Sequence, residues 1–157
     1  MTPATTQPDM ELALPARAEN IALVRHALGA LGEARAVDEQ ILSDIRLAVT
    51  EACTNVVVHA YPADRVGPLE VLASVTDDEL TVLVRDCGPG ITPRSDSPGL
   101  GLGLPLIASL AESLQLGHAE SGHTEVSMTF SLVPSSDYVE ELAARDGEST
   151  LEDPTPP

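Results

Sequence analysis

Between residues 18 and 31 the apolar side chains Ile21, Val24, Leu28 and Leu31 return every three or four positions, the spacing of one helix face. Arg25 and His26 fall off that stripe, toward solvent or a partner. Gly29 weakens the helix, and Gly32 is expected to stop it. A second, longer helix is predicted from an Asp38 N-cap to about His59, with Ile41, Ile45, Ala48, Val49, Ala52 and Val56 facing the core. Tyr61 precedes Pro62, and a residue before proline avoids the helical region, so the helix ends there. The period then changes to two. Residues 69–75 and 80–85 read as strands joined by an Asp77-Asp78 turn, an antiparallel hairpin. Met10 to Leu14 suits a short edge strand ended by Pro15. Residues 104–114 read as a third helix, with Pro105 tolerated in its first turn. Residues 116–119 and 125–132 complete the pattern as a final strand pair. Helices beside a mixed, mostly antiparallel sheet predict an α+β fold, a two-layer α/β sandwich.

Composition narrows the class. The chain of 157 residues suits one domain, expected over 10–132, between a Thr- and Pro-rich disordered start (1–9) and an acidic, disordered tail (133–157). Within that tail Asp137 is placed to cap a short helix reaching Ala144. Hydrophobic residues make up 43% but aromatics only 2%, so the core must be aliphatic. No apolar run approaches the roughly 20 residues that span a bilayer. No basic start followed by an apolar segment marks a signal peptide. The expectation is a cytoplasmic protein with no membrane partner. The net charge is −17, from 25 acids against 8 bases, and all eight bases are arginine. Without lysine there is no Walker-type phosphate loop and no Schiff-base chemistry. So acidic a chain is also a poor partner for nucleic acid, whose phosphates demand cations. Cys53 and Cys87 read as free thiols, and His59, six residues beyond Cys53, does not make zinc-ligand spacing.

Three stretches carry candidate chemistry. In Asp86-Cys87-Gly88-Pro89-Gly90-Ile91 a carboxylate ends a strand and a glycine-rich turn follows. Gly88 and Gly90 permit either positive φ or a close approach to the backbone, and Pro89 stiffens the corner. A carboxylate so placed is an acceptor for an amino group on a planar ring such as adenine. On the second helix Glu51, Asn55 and His59 stand four apart and share one face beside Ala52 and Val56. A glutamate at the rim of a cleft can serve as a general base, and an asparagine oxygen one turn on can coordinate magnesium. The third stretch, Gly99-Leu100-Gly101-Leu102-Gly103-Leu104-Pro105, leads alternating glycines into a helix. Unhindered backbone N–H groups at a positive helix end bind phosphate without lysine.

Together Glu51-Ala52-Cys53-Thr54-Asn55, Asp86-Cys87-Gly88-Pro89-Gly90 and Gly101-Leu102-Gly103 resemble the N, G1 and G2 boxes of the GHKL ATPase superfamily. The run from Glu51 to His59-Ala60-Tyr61 is most similar to the bacterial anti-sigma factor serine kinases, and the likeness covers residues 10–132. The resemblance implies a Bergerat sandwich that uses ATP and Mg²⁺. Glu51 would be the catalytic base and Asn55 the magnesium ligand. Asp86 would receive the adenine amino group, with Gly88, Gly90 and Ile91 shaping the base pocket. Gly99, Gly101, Leu102 and Gly103 would form lid and phosphate cradle, and Thr124 would match the threonine near the adenine end. It further implies a protein serine/threonine kinase whose partners are an anti-sigma factor antagonist, as substrate, and a sigma factor, with homodimerisation through the first strand and helix.

Two departures bear on activity. Leucines separate the glycines where related kinases often carry an arginine, leaving Arg94 the only lid cation; His123 stands where a glycine often precedes the threonine. The alternative expectation is therefore a catalytically weak, ATP-binding anti-sigma switch. A third is a detached sensor-kinase catalytic domain acting on another protein's histidine.

Overall fold

Strand β3 (Glu79–Asp86) is the middle of the architecture, and its alternation explains the rest. Leu80, Val82 and Val84 are buried while Thr81, Leu83 and Arg85 between them are half-exposed, so one face carries the core and the other meets solvent. In the computed structural model, which describes residues 7–88, 103–118, 122–135, 140 and 143–144, five strands form one sheet in the order β1-β2-β3-β5-β4. The others are β1 (Met10–Pro15), β2 (Pro68–Val75), β4 (Ser113–His118) and β5 (Thr124–Ser131). All four pairings are antiparallel, so the mixed element of the expected sheet is not found among the described strands.

Helices α1 (Ala18–Ala34), α2 (Glu39–Asn55) and α3 (Gly103–Leu110) cover one face. Val24 and Leu28 of α1, Ile45, Val49 and Ala52 of α2, and Ile107 of α3 pack on Val71, Val82, Val84 and Met128 of the sheet. These aliphatic side chains are essentially fully buried. Each contributes on the order of 1.5–3 kcal/mol of burial, which makes this layer contact the main source of stability. On the open face Arg85 bridges β2 and β5, its Nε 2.7 Å from Glu125 and its Nη1 3.7 Å from Glu70. Partly exposed pairs of this kind contribute at most about 1 kcal/mol and mainly hold register.

Local details correct the sequence reading. The Asp38 cap is real, its Oδ1 accepting from Gln40 N at 2.9 Å and Ile41 N at 3.3 Å. Gly32 does not stop α1; it lies inside the helix, buried against Leu42, where a Cβ would come within 2.5 Å of a leucine methyl. The stop comes three residues later, at Arg35, with Ala36 in the left-handed region at φ 52°. The second helix does not stay α-helical to His59: beyond Asn55 it widens into a π-helical turn, Val56–Ala60. The third is shorter than expected, and Leu114 belongs to β4. The short helix anticipated from Asp137 falls largely outside the described residues.

Candidate nucleotide site

At one end of the sheet the core alternation continues but its chemistry changes. After Leu80, Val82 and Val84 the next inward position on β3 is Asp86, 8% exposed; the corresponding position on β5, beside Val126, is Thr124, 5% exposed. Strand register sets these two residues opposite each other. They are the only polar residues among the buried, described positions. Asp86 Oδ1 accepts the Gly88 N–H at 2.8 Å, whereas Thr124 Oγ1 has no hydrogen-bond partner among the described residues. A buried hydroxyl left unpaired costs on the order of 1–3 kcal/mol, and such exceptions commonly mark a ligand's place. Burial pushes the Asp86 carboxyl above the usual carboxylate range; the Gly88 N–H and then His118 and His123 partly oppose the rise.

The turn beyond Asp86 is pressed onto the end of the π-helical turn that follows α2. A Cβ on Gly88 would lie 2.3 Å from the Ala60 carbonyl oxygen and 3.0 Å from Asp86 Oδ1. Gly88 is not among the described residues of positive φ, so of the two roles anticipated for it, close approach is the one present. The helix end also meets α3: a Cβ on Gly103 would stand 3.2 Å from Asn55 Nδ2 and 3.3 Å from Oδ1. Asn55 and Glu51 are half-buried, one turn apart on α2. Glu51 has no hydrogen-bond or ion-pair partner among the described residues, which leaves its carboxylate available. Asn55 at the end of α2 thus touches the start of α3, and the π-helical turn that follows it touches the Asp86 turn through Ala60.

Gly90, Ile91, Gly99, Gly101 and Leu102 lie outside the described residues, as does Arg94. His59 falls in the π-helical turn, half-buried, and His123 Nδ1 sits 3.2 Å from Cys87 Sγ. Among the described residues no group of three or more His, Cys, Asp or Glu side chains gathers in metal-binding fashion. Of the cysteines, Cys87 is exposed; Cys53 is buried in the core and burial pushes its thiol up to about 12. A separate groove of about 460 Å³, lined in part by Ile41, Asp44, Leu110 and Phe130, opens near the start of α2, away from Asn55. Tyr61, a helix end and the last residue of the Glu51–Tyr61 run in the sequence reading, has no site role there; in the structure its hydroxyl contacts the backbone beside Asp86. The signal available was its place as the last residue of that run.

Residues 14–130 match the histidine kinase-like ATPase domain family. The chain belongs to that family, in its anti-sigma factor serine-protein kinase branch. It is 32% identical over 135 residues to a serine-protein kinase RsbW of Bacillus licheniformis, covering 76% of this chain and 83% of that one. It is 30% identical over 126 residues to the serine-protein kinase RsbW of Bacillus mycoides, covering 71% and 78%. Its fold is similar to the RsbU and RsbW domains of a Mycobacterium tuberculosis protein, with a TM-score of 0.60 at 24% identity; the match covers 78% of this chain and 32% of that longer one. No described helix is long and apolar enough to cross a membrane.

Proposed function

We propose that this protein is an ATP-dependent serine/threonine kinase and anti-sigma factor, whose functional unit is residues 10–132. It phosphorylates a serine on an anti-sigma factor antagonist and binds a sigma factor, so phosphorylation decides which partner it holds. The observation that carries this reading is the unpartnered Thr124 hydroxyl facing the same buried end as the Asp86 carboxylate. Adenine offers an amino donor to the carboxylate and ring-nitrogen acceptors to the hydroxyl. The family match and the Bacillus relatives support the same assignment.

The residues present fit magnesium. A Mg²⁺ ion is usually held by one or two protein oxygens plus substrate phosphates and waters, so Asn55 needs no carboxylate cluster around it. When bound, the ion would neutralise phosphate charge. Glu51 takes the serine hydroxyl proton as the serine oxygen bonds to the γ-phosphorus and the bond to the departing ADP breaks. Asp86 and Thr124 hold the base, with Gly88, Gly90 and Ile91 around it. Gly99, Gly101, Leu102 and Gly103 supply N–H groups to the phosphates.

Incubation with radiolabelled ATP and a candidate antagonist tests this. Wild type labels the antagonist on serine. Glu51→Ala lowers transfer by about 10²–10⁴-fold while leaving ATP affinity within about twofold. Failure of wild type to label any antagonist overturns the kinase assignment. The leucines between Gly99, Gly101 and Gly103, in place of an arginine, favour a second reading, a nucleotide-responsive anti-sigma switch with little turnover. That reading predicts ATP-dependent capture of the sigma factor without phosphoryl transfer.

A further inference from the structure

The β2–β3 ladder runs in register to Leu69 opposite Asp86, so one more step would set Pro68 against Cys87. Pro68 has no N–H to give, and the Cys87 N–H does not close the rung alone. It donates to the Tyr61 hydroxyl oxygen at 2.9 Å, and that hydroxyl donates in turn to the Pro68 carbonyl. The phenol oxygen is therefore inserted between the two strands as a relay. Its ring lies on the backbone of Gly67, where a Cβ would come within 2.0–2.6 Å of three ring carbons. Burial raises the tyrosine pKa, with the Cys87 N–H opposing, so the hydroxyl keeps the proton it gives to Pro68.

From this geometry we infer that Tyr61 is a positioning residue for the base-binding end of the site, its hydroxyl fixing the backbone that carries the Asp86 carboxylate. The inference rests on the nucleotide reading above. Three consecutive groups are held in place: the Asp86 carboxylate by Gly88 N–H, the Cys87 N–H by Tyr61, and the Gly88 backbone by its contact with Ala60. Tyr61 follows the π-helical turn that begins one residue after Asn55. It thereby sets the span between the base end of the site and the Asn55 end. Without the relay the strand ends are free to shift by a fraction of an ångström. An amino-group acceptor that shifts so far loses base recognition before it loses the fold.

Tyr61→Phe in the full chain keeps the ring and deletes the relay. Calorimetric binding is measured with ATP and with purine riboside triphosphate, which lacks the exocyclic amino group, both with Mg²⁺. Wild type prefers ATP. Tyr61→Phe weakens ATP about tenfold and purine riboside triphosphate less than about twofold, so the preference collapses. Equal weakening of both nucleotides, or unchanged ATP affinity, overturns the inference, since a merely structural post would not alter the choice of base. Amide hydrogen exchange in nucleotide-free wild type is the second measurement and does not depend on the variant folding. The Cys87 amide is protected if the relay exists, and exchange at the free-peptide rate overturns it. Wild type that binds neither nucleotide overturns the nucleotide reading itself; wild type that binds both, with a variant that still discriminates, overturns only the role of Tyr61.

Discussion

Asp86 occupies a position that strand parity reserves for an apolar side chain, and its charge there is tolerated by one short backbone hydrogen bond. A carboxyl with its pKa raised by burial binds a proton more readily folded than unfolded. The folded chain therefore loses stability from this group as pH rises from its ordinary 3.8 through the raised value, and the loss is complete above it. On the proposed role of Asp86, ATP binding needs the ionised acceptor and gains over the same interval. Affinity for ATP should accordingly fall as pH drops toward the raised pKa. Asp86→Asn keeps an oxygen for Gly88 N–H and removes the buried charge. Melting of the nucleotide-free variant at neutral pH should match or exceed wild type, while its ATP affinity drops tenfold or more. A variant that melts lower and binds ATP normally would contradict both halves of this account. Thr124 shows the limit of reading residues singly: that its buried hydroxyl has no partner among the described residues and stands opposite Asp86 is visible only once the strands pair.

Among the elements, the end of α1 carries a correctable strain. Val37 N–H reaches the Gly32 carbonyl at 2.9 Å and Ala36 N–H reaches that of Glu33 at 3.1 Å, the paired bonds of a Schellman ending. That ending demands a left-handed residue, and here it is an alanine. The left-handed conformation costs a non-glycine residue about 1–2 kcal/mol, part of which glycine gives back in unfolded-state entropy. Ala36→Gly should stabilise the protein by about 0.5–1 kcal/mol in denaturant unfolding, with no change in ATP affinity. The glycine at 32, four residues earlier, drew attention as a stop because glycine usually occupies that role. Its actual work is the close packing of α1 on Leu42, which no one-dimensional pattern reveals. The π-helical turn is another such case, since apolar spacing alone does not distinguish a widened turn from the α-helix preceding it.

For the molecule as a whole, a net charge of −17 on 157 residues outweighs the few ion pairs among its described residues. Self-repulsion on that scale opposes the compact state and is screened by salt, whereas the pairs lost to screening contribute little each. The melting temperature should rise between about 20 mM and about 0.5 M NaCl in thermal scans. A fall would mean that the Arg85 bridges and their like dominate.

Periodicity and side-chain chemistry are local and survive in one dimension, so the layer architecture and the aliphatic core were legible in the chain, and Glu51, Asn55 and Asp86 stood out in it as candidate site residues. Four of the five strands were legible to within a residue at each end, β4 being the exception, and a single carboxylate capped the helix it was assigned to. Tertiary structure decided what depends on two segments meeting. Those features are the all-antiparallel pairing, the Asp86–Thr124 juxtaposition, the pressing of Gly88 onto Ala60, and the tyrosine oxygen threaded between two strand ends. Each is a contact between residues far apart in the chain, whose free energy exists only once packing has brought both partners out of water together.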